Sequence, residues 1–202
     1  MEYKYDLFIS LGSDCSIAQT LKKLELRDSS GPFDWYVSNL SKILDAFKND
    51  FKKYFDLNNI TIDNSNNGYS KDKDNNMLWF HLPKYQELKD NNETYINTLN
   101  NINRRCERLL TNCRSNKSIL FIRKHQNETT NDMVEIENLI RYKFPKLNFK
   151  ILLINNIKKC DKVKNIIHQY LDINAFPVLP RGNGYINEKY CFNTMEYLFK
   201  KY

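Results

Sequence analysis

The residues of this 202-residue chain best suited to nucleophilic chemistry are five cysteines, at 15, 106, 113, 160 and 191, and three histidines, at 81, 125 and 168. Cys15 differs from the other cysteines in its surroundings. It follows a short apolar run, Asp6–Leu11, and a turn, Gly12-Ser13-Asp14. From Cys15 to Leu26, Ile17, Ala18, Leu21 and Leu24 recur at intervals that suit one face of a helix, and Ser13 or Asp14 can cap its start. A thiol in the first turn of a helix meets unpaired N–H groups and the positive helix end, which favour the thiolate. The same N–H groups can hold a developing oxyanion or a phosphate. Gly12, Ser13 and Asp14 therefore read as ligand contacts around a nucleophile, with a buried helix-start cysteine as the other reading. The charge of Asp14 works against a strongly acidic thiol. Cys106, Cys113, Cys160 and Cys191 read as small core residues.

A thiolate nucleophile needs an imidazole base and a group that orients it. His81 closes the apolar stretch Met77–Leu82, His125 follows the run Ser118–Arg123, and His168 lies within an apolar helical pattern and reads as structural. His81 is the preferred base, with an ordinary edge histidine as the alternative. Asp34, in Gly31-Pro32-Phe33-Asp34-Trp35, sits between aromatic residues that would fix its carboxylate. It can orient a histidine, accept from backbone N–H groups, or cap the next helix. Trp35 beside it reads as a ligand contact. Arg104, Arg105 and Arg123 could form an anion clamp, whereas Arg108 and Arg114 fall on what reads as a solvated helix face. No GxGxxG, no Walker A sequence and no cysteine followed by Arg six residues later is present. With no CxxC or Cys/His zinc spacing either, neither a metal nor a cofactor is expected.

The elements that must position these groups are legible from periodicity. Asp6–Leu11, Met77–Leu82, Ser118–Arg123 and Phe149–Ile154 read as strands, with Phe176–Leu179 as a further candidate. Cys15–Leu26, Ser38–Phe55, Thr94–Cys113, Asn131–Tyr142 (capped by Thr130 or Asn131), Lys159–Leu171 and Thr194–Lys201 read as helices. Residues 58–76, rich in Asn and charge, form a polar excursion or a hairpin turning at Asn67-Gly68. Strands that are continuous apolar runs are buried on both faces. The prediction is therefore a single α/β domain, a mostly parallel sheet layered between helices in a Rossmann-like three-layer arrangement. In such sheets the site lies beyond the carboxyl ends of the strands, where Gly12–Cys15, His81 and Arg123–His125 would meet.

Composition narrows the class. Lys and Arg number 31 against 24 Asp and Glu, a net charge of +7. Residues 1–90 carry 12 basic and 14 acidic groups, net −2, and residues 91–202 carry 19 and 10, net +9. A basic half can serve an anionic ligand or nucleic acid, or be a solvated lysine surface. Nucleic acid is not favoured, because aromatics do not interleave with the basic residues as a stacking platform would require. Aromatics at 13% exclude a disordered chain, and no apolar run is long enough to span a bilayer. Asn makes up about one residue in seven, dispersed along the chain, and reads as coding drift. The first residues lack a basic, cleavable signal, so a reducing cytoplasmic setting with free thiols is expected.

The block from Leu7 to Leu44 resembles a domain of unknown function described as a papain-like cysteine peptidase, found in bacteria and large DNA viruses. The matching residues are Ser10-Leu11-Gly12, Cys15, Leu26-Arg27, Ser29 or Ser30, and Pro32-Phe33-Asp34-Trp35. Phe80-His81, Arg104-Arg105 and Leu120-Phe121-Ile122-Arg123 are similar more loosely. The resemblance implies Cys15 as nucleophile, His81 as base and Asp34 as acidic partner, and it makes Arg105 and Arg123 ligand contacts. For a viral member, the cytoplasm would be the host's. The alternating second half nevertheless points to the three-layer α/β arrangement rather than a two-lobed papain fold. Two functions follow: a cysteine hydrolase acting on a peptide, isopeptide or other acyl bond, or a non-hydrolytic module binding an anion such as a nucleotide or sugar phosphate.

Overall fold

The computed structural model describes residues 4–64, 67–74, 77–79, 81–124, 128–155 and 166–170. The expected elements at Phe176–Leu179 and Thr194–Lys201, and the residues His125, Cys160 and Cys191, lie outside them. Four parallel strands form the main sheet: β1 (Leu7–Ser10), β6 (Ile119–Lys124), β7 (Phe149–Asn155) and β8 (Ile166–Tyr170), in the order β1-β6-β7-β8. A second, antiparallel sheet has the order β2-β5-β4-β3, from Val37–Ser38, Met77–Trp79, Tyr69–Asp72 and Ile60–Asp63. The helices among the described residues are α1 (Cys15–Lys23), α2 (Leu40–Lys48), α3 (Tyr85–Asp90), α4 (Asn92–Arg114) and α5 (Thr130–Lys143), with a 3-10 turn at Leu57–Asn59.

The apolar runs behave as expected of strands covered on both sides. Ile119, Phe121, Phe149, Ile151 and Leu153 join a large core with Ile102, Cys106, Leu109 and Cys113 of α4 and Met133, Ile136 and Ile140 of α5. Leu120, Ile122, Leu152 and Ile154 point the other way and meet Phe8 of β1 with Ile17 and Leu21 of α1. Helices thus layer both faces of the parallel sheet. The large core continues without a break into α2 and the antiparallel sheet through Phe33, Phe47, Ile60, Met77 and Trp79.

Several element boundaries differ from expectation, each for a local reason. The helix expected over Ser38–Phe55 stops at Lys48. Asp50 turns left-handed (φ 50°), and the N–H groups of Phe51 and Asp50 bond back to the Ala46 and Phe47 carbonyls at 2.8 and 3.4 Å. This is a Schellman closure, and it folds Phe51 onto Phe47 with ring centroids 5.6 Å apart. The same closure ends α1 early: Glu25 is left-handed (φ 56°), and the Leu26 N–H reaches the Leu21 carbonyl at 2.9 Å. Residues Ile60–Asp72 make the hairpin, turning at left-handed Asn67 and Gly68. Thr129, rather than Thr130 or Asn131, caps α5 in a reciprocal capping box with Asp132.

Two expectations are overturned. Ile166–Tyr170, read as helix, is strand β8 paired with β7, with His168 opposite Leu153. The β-branched pair Ile166-Ile167 suits a strand beside the apolar β7 as well as it suits a helix face, and pairing with β7 decides. The strand expected to reach Leu82 ends at Trp79, so His81 lies just past β5.

The double-sided core makes a direct test possible. Leu120 is fully buried. Its replacement by Ala is expected to cost about 2–5 kcal/mol, read as a shift of the urea midpoint at unchanged m-value.

Candidate active site

The chain leaves β1 at Ser10 and turns at Gly12, whose φ is +77°. A Cβ built there would lie 2.3 Å from Ser38 Oγ and 3.4 Å from an Arg123 nitrogen, so both conformation and space demand glycine. The turn is fastened on every side. The Leu11 N–H reaches the Ile122 carbonyl at 2.7 Å, the Gly12 N–H reaches Ser10 Oγ at 3.1 Å, and the Ser38 N–H reaches the Ser13 carbonyl at 2.9 Å. The Lys124 N–H closes onto the Gly12 carbonyl at 3.3 Å. The buried hydroxyls of Ser13 and Ser38 have no partner among the described residues.

Arg123 organises this turn. It is fully buried: Nη1 donates to the Leu11 carbonyl at 2.7 Å and Nη2 to the Ser38 carbonyl at 3.1 Å. Nε donates to Glu128 at 2.8 Å, and Nη2 completes the ion pair at 2.6 Å. These partners lie inside the protein and the side chain is sealed from solvent, so Arg123 holds the site together instead of offering an open contact to a ligand.

Cys15 is the first residue of α1 and is half-buried. Asp14 caps the helix, accepting from the Ser16 N–H at 2.8 Å and from the Ser16 hydroxyl, and it receives Lys124 Nζ at 2.7 Å. Burial works to raise the Asp14 pKa, but Lys124 and the Ser16 bonds prevail and hold it below its ordinary value. For Cys15 the balance is opposite. Burial and then the Asp14 charge raise the thiol pKa, against weaker pulls from its own backbone N–H and Lys124. The protonated thiol is therefore the favoured form. Gln19, one turn along α1, brings Nε2 to 3.5 Å from Sγ.

Asp34 is buried and engaged elsewhere than expected. It pairs with Arg27 and accepts from the Gly31 N–H at 2.7 Å. Burial raises its pKa, with Arg27, the Gly31 bond and Arg105 opposing. The Arg27 guanidinium lies 5.1 Å over the Trp35 ring, whose Nε1 donates to Ser30 Oγ at 3.0 Å. Trp35 in turn meets exposed His81 edge-on, centroids 5.7 Å apart. Asp34 therefore reaches His81 through Arg27 and Trp35, and among the described residues no hydrogen bond joins His81 to Cys15 or to Asp34. Arg105 donates to the Tyr36 hydroxyl at 3.0 Å, while exposed Arg104 donates to Asn101. Arg108, read as solvated, instead bonds the Ser30 carbonyl at 2.7 Å.

Residues 6–159 match the family described as "Putative papain-like cysteine peptidase". The chain belongs to this family. It is also 27% identical, over 209 aligned positions, to an uncharacterized protein of Acanthamoeba polyphaga mimivirus, spanning 88% of this chain and 93% of that one. No solved structure matches it. The shared region takes in the Gly12 turn, Cys15, the Arg27–Asp34 pair, His81 and Arg123. Gln19 went unread in the sequence, Arg27 stood there only as a motif residue, and Lys124 only within the Arg123–His125 strand end, none with its partner. The i, i+4 step from Cys15 to Gln19 was the readable signal for the first. Among the described residues no cluster of three or more His, Cys, Asp or Glu side chains could hold a metal, and no helix is long and apolar enough to cross a membrane.

Two measurements follow. Arg123→Ala leaves Glu128 buried without its guanidinium and should cost about 3–5 kcal/mol in urea unfolding, whereas Arg114→Ala should stay within about 0.5 kcal/mol. Because the Cys15 pKa is raised, its alkylation by iodoacetamide should climb about tenfold per pH unit through neutrality, following the thiolate fraction. Lys124→Met should slow the reaction at a given pH. Cys106 and Cys113, buried and pushed up to about 12, should react far more slowly.

Proposed function

We propose that this protein is a cysteine-dependent hydrolase of a peptide, isopeptide or other acyl bond, with Cys15 as its nucleophile. The observation that carries this reading is the position of Cys15. It is the one described cysteine that is not buried, at the start of a helix beyond the carboxyl ends of β1 and β6, in a chain of a family described as cysteine peptidases. The raised thiol pKa suits a mechanism in which deprotonation accompanies attack rather than one resting as an ion pair.

His81 is the base in this reading. It takes the thiol proton as Sγ attacks the acyl carbon, and it returns that proton to the leaving amine when the carbon–nitrogen bond breaks. Water then enters by the same route, giving the carboxylic acid and the free thiol. The N–H groups at the start of α1 and the Gln19 amide supply donors for the oxyanion. Asp34 is a positioning residue, acting on His81 through Arg27 and Trp35. The reaction calls on no metal or cofactor, and the setting that keeps such a thiol reduced is the cytoplasm.

The test is covalent capture. A peptidyl or ubiquitin-derived acyl electrophile should modify Cys15, as located by peptide mass mapping, and Cys15→Ala should abolish capture. His81→Ala should slow it about a hundredfold or more, and Asp34→Asn less. Equal modification of all five thiols, or a Cys15 that stays unmodified, would remove the hydrolase reading.

A further inference from the structure

Three cations withdrawn from water among the described residues are matched by opposite charge: Arg27 by Asp34, Lys42 by Asp72 at 3.2 Å, and Arg123 by Glu128. Arg105 and Arg108 depart from that rule. Both are half-buried, and they stand three residues apart on α4, hence on one face. Arg105 has a phenol as its hydrogen-bond partner, and Arg108 has a backbone carbonyl. Neither makes an ion pair among the described residues, and the Tyr36 phenol, pushed up to about 12 by burial, stays neutral.

Both arginines line a cavity of about 500 Å3 between β1, the loop of residues 25–34 and α4. Leu7, Ile9, Leu26 and Leu109 give it apolar wall. The carboxylates at its edge are accounted for or face out. Asp34 is held first by Arg27 and the Gly31 N–H, with Arg105 near enough for its charge to act on the carboxylate without an ion pair; Asp6 accepts from the Ser118 N–H and hydroxyl at 2.7 Å, and Glu25 and Asp28 are exposed. Exposed acids at the mouth disfavour a polyanion such as nucleic acid. A cavity of this size suits a small molecule.

We infer that this cavity is a binding site for a small organic anion, one oxyanion group on an apolar body, with Arg105 and Arg108 as the clamp. A guanidinium that has given one donor to a neutral acceptor keeps the others for a carboxylate or phosphate. The apolar wall takes the body of the ligand. The site does not depend on Cys15 chemistry.

The experiment titrates the whole protein with phenylacetate, phenyl phosphate and neutral benzyl alcohol, following arginine Nε–H signals by NMR. At least one anion should shift the Arg105 and Arg108 signals, while benzyl alcohol shifts neither. Whichever anion binds tighter identifies the head group. Arg105→Gln and Arg108→Gln should each weaken binding about tenfold or more. Arg114→Gln, on the same helix, and Cys15→Ala should bind like the parent, which separates this site from the hydrolase reading. The inference is overturned by three results: no shift with either anion at millimolar concentration, equal binding of benzyl alcohol, or unchanged affinity in both arginine variants. The wild-type spectra decide the matter even if a variant fails to fold.

Discussion

Removing a guanidinium wholly from water costs several kcal/mol unless its charge and its donors all find partners. Arg123 comes close to that condition by drawing three separate parts of the chain to itself: the exit from β1 at Leu11, the short strand β2 at Ser38, and Glu128 ahead of α5. Burial lowers its pKa and Glu128 opposes the shift, but an arginine remains charged at any pH the protein would meet. The two sheets therefore share one cationic joint. The glycine turn that presents Cys15 is shaped by this joint on one side and by Ser38 on the other.

Around Cys15 the electrostatics are arranged for restraint. Asp14 completes the helix cap and is itself answered by Lys124, which offsets only part of the Asp14 charge at the thiol. Desolvation is the largest influence and the Asp14 charge adds to it, both favouring S–H over S⁻. A thiol kept protonated at rest is a poor target for oxidation, because the oxidation ladder starts from the thiolate. The neighbouring loop has its own internal order, from Asp34 to Arg27, to Trp35 and then to His81. Buried charge fixes the first member of that series, and the last lies open to solvent.

The elements carrying Cys15 were legible because they are long enough to show a period. Ile17, Ala18 and Leu21 mark α1, the stripe through Ile102, Cys106, Leu109 and Cys113 marks α4, and the unbroken runs of β6 and β7 mark strands sealed on both faces. The antiparallel sheet was legible only at its Asn-Gly turn and at β5, the start of the apolar run from Met77, since its other strands run two to four residues and show little alternation. Side-chain fates were harder to read. Arg123 closes an apolar run, and that pattern fits a charge at a strand's mouth as well as one sealed behind it. The outcome depends on Glu128 and Ser38, which the chain delivers from elsewhere. Asp34 and Arg108 were obscure for the same reason. Their partners, Arg27 and Ser30, come from an irregular loop without a periodic signature.

Among the described residues, six other than glycine have positive φ: Glu25, Trp35, Asp50, Phe51, Lys53 and Asn67. In a chain with five glycines, each such position trades backbone strain in the native state for stiffness in the unfolded one. A residue with a β-carbon has fewer unfolded conformations to surrender, so ordering it costs less entropy than ordering glycine would. Entropy weighs more as temperature rises, whereas steric strain is largely enthalpic. This way of building turns is therefore relatively more favourable in the heat than in the cold.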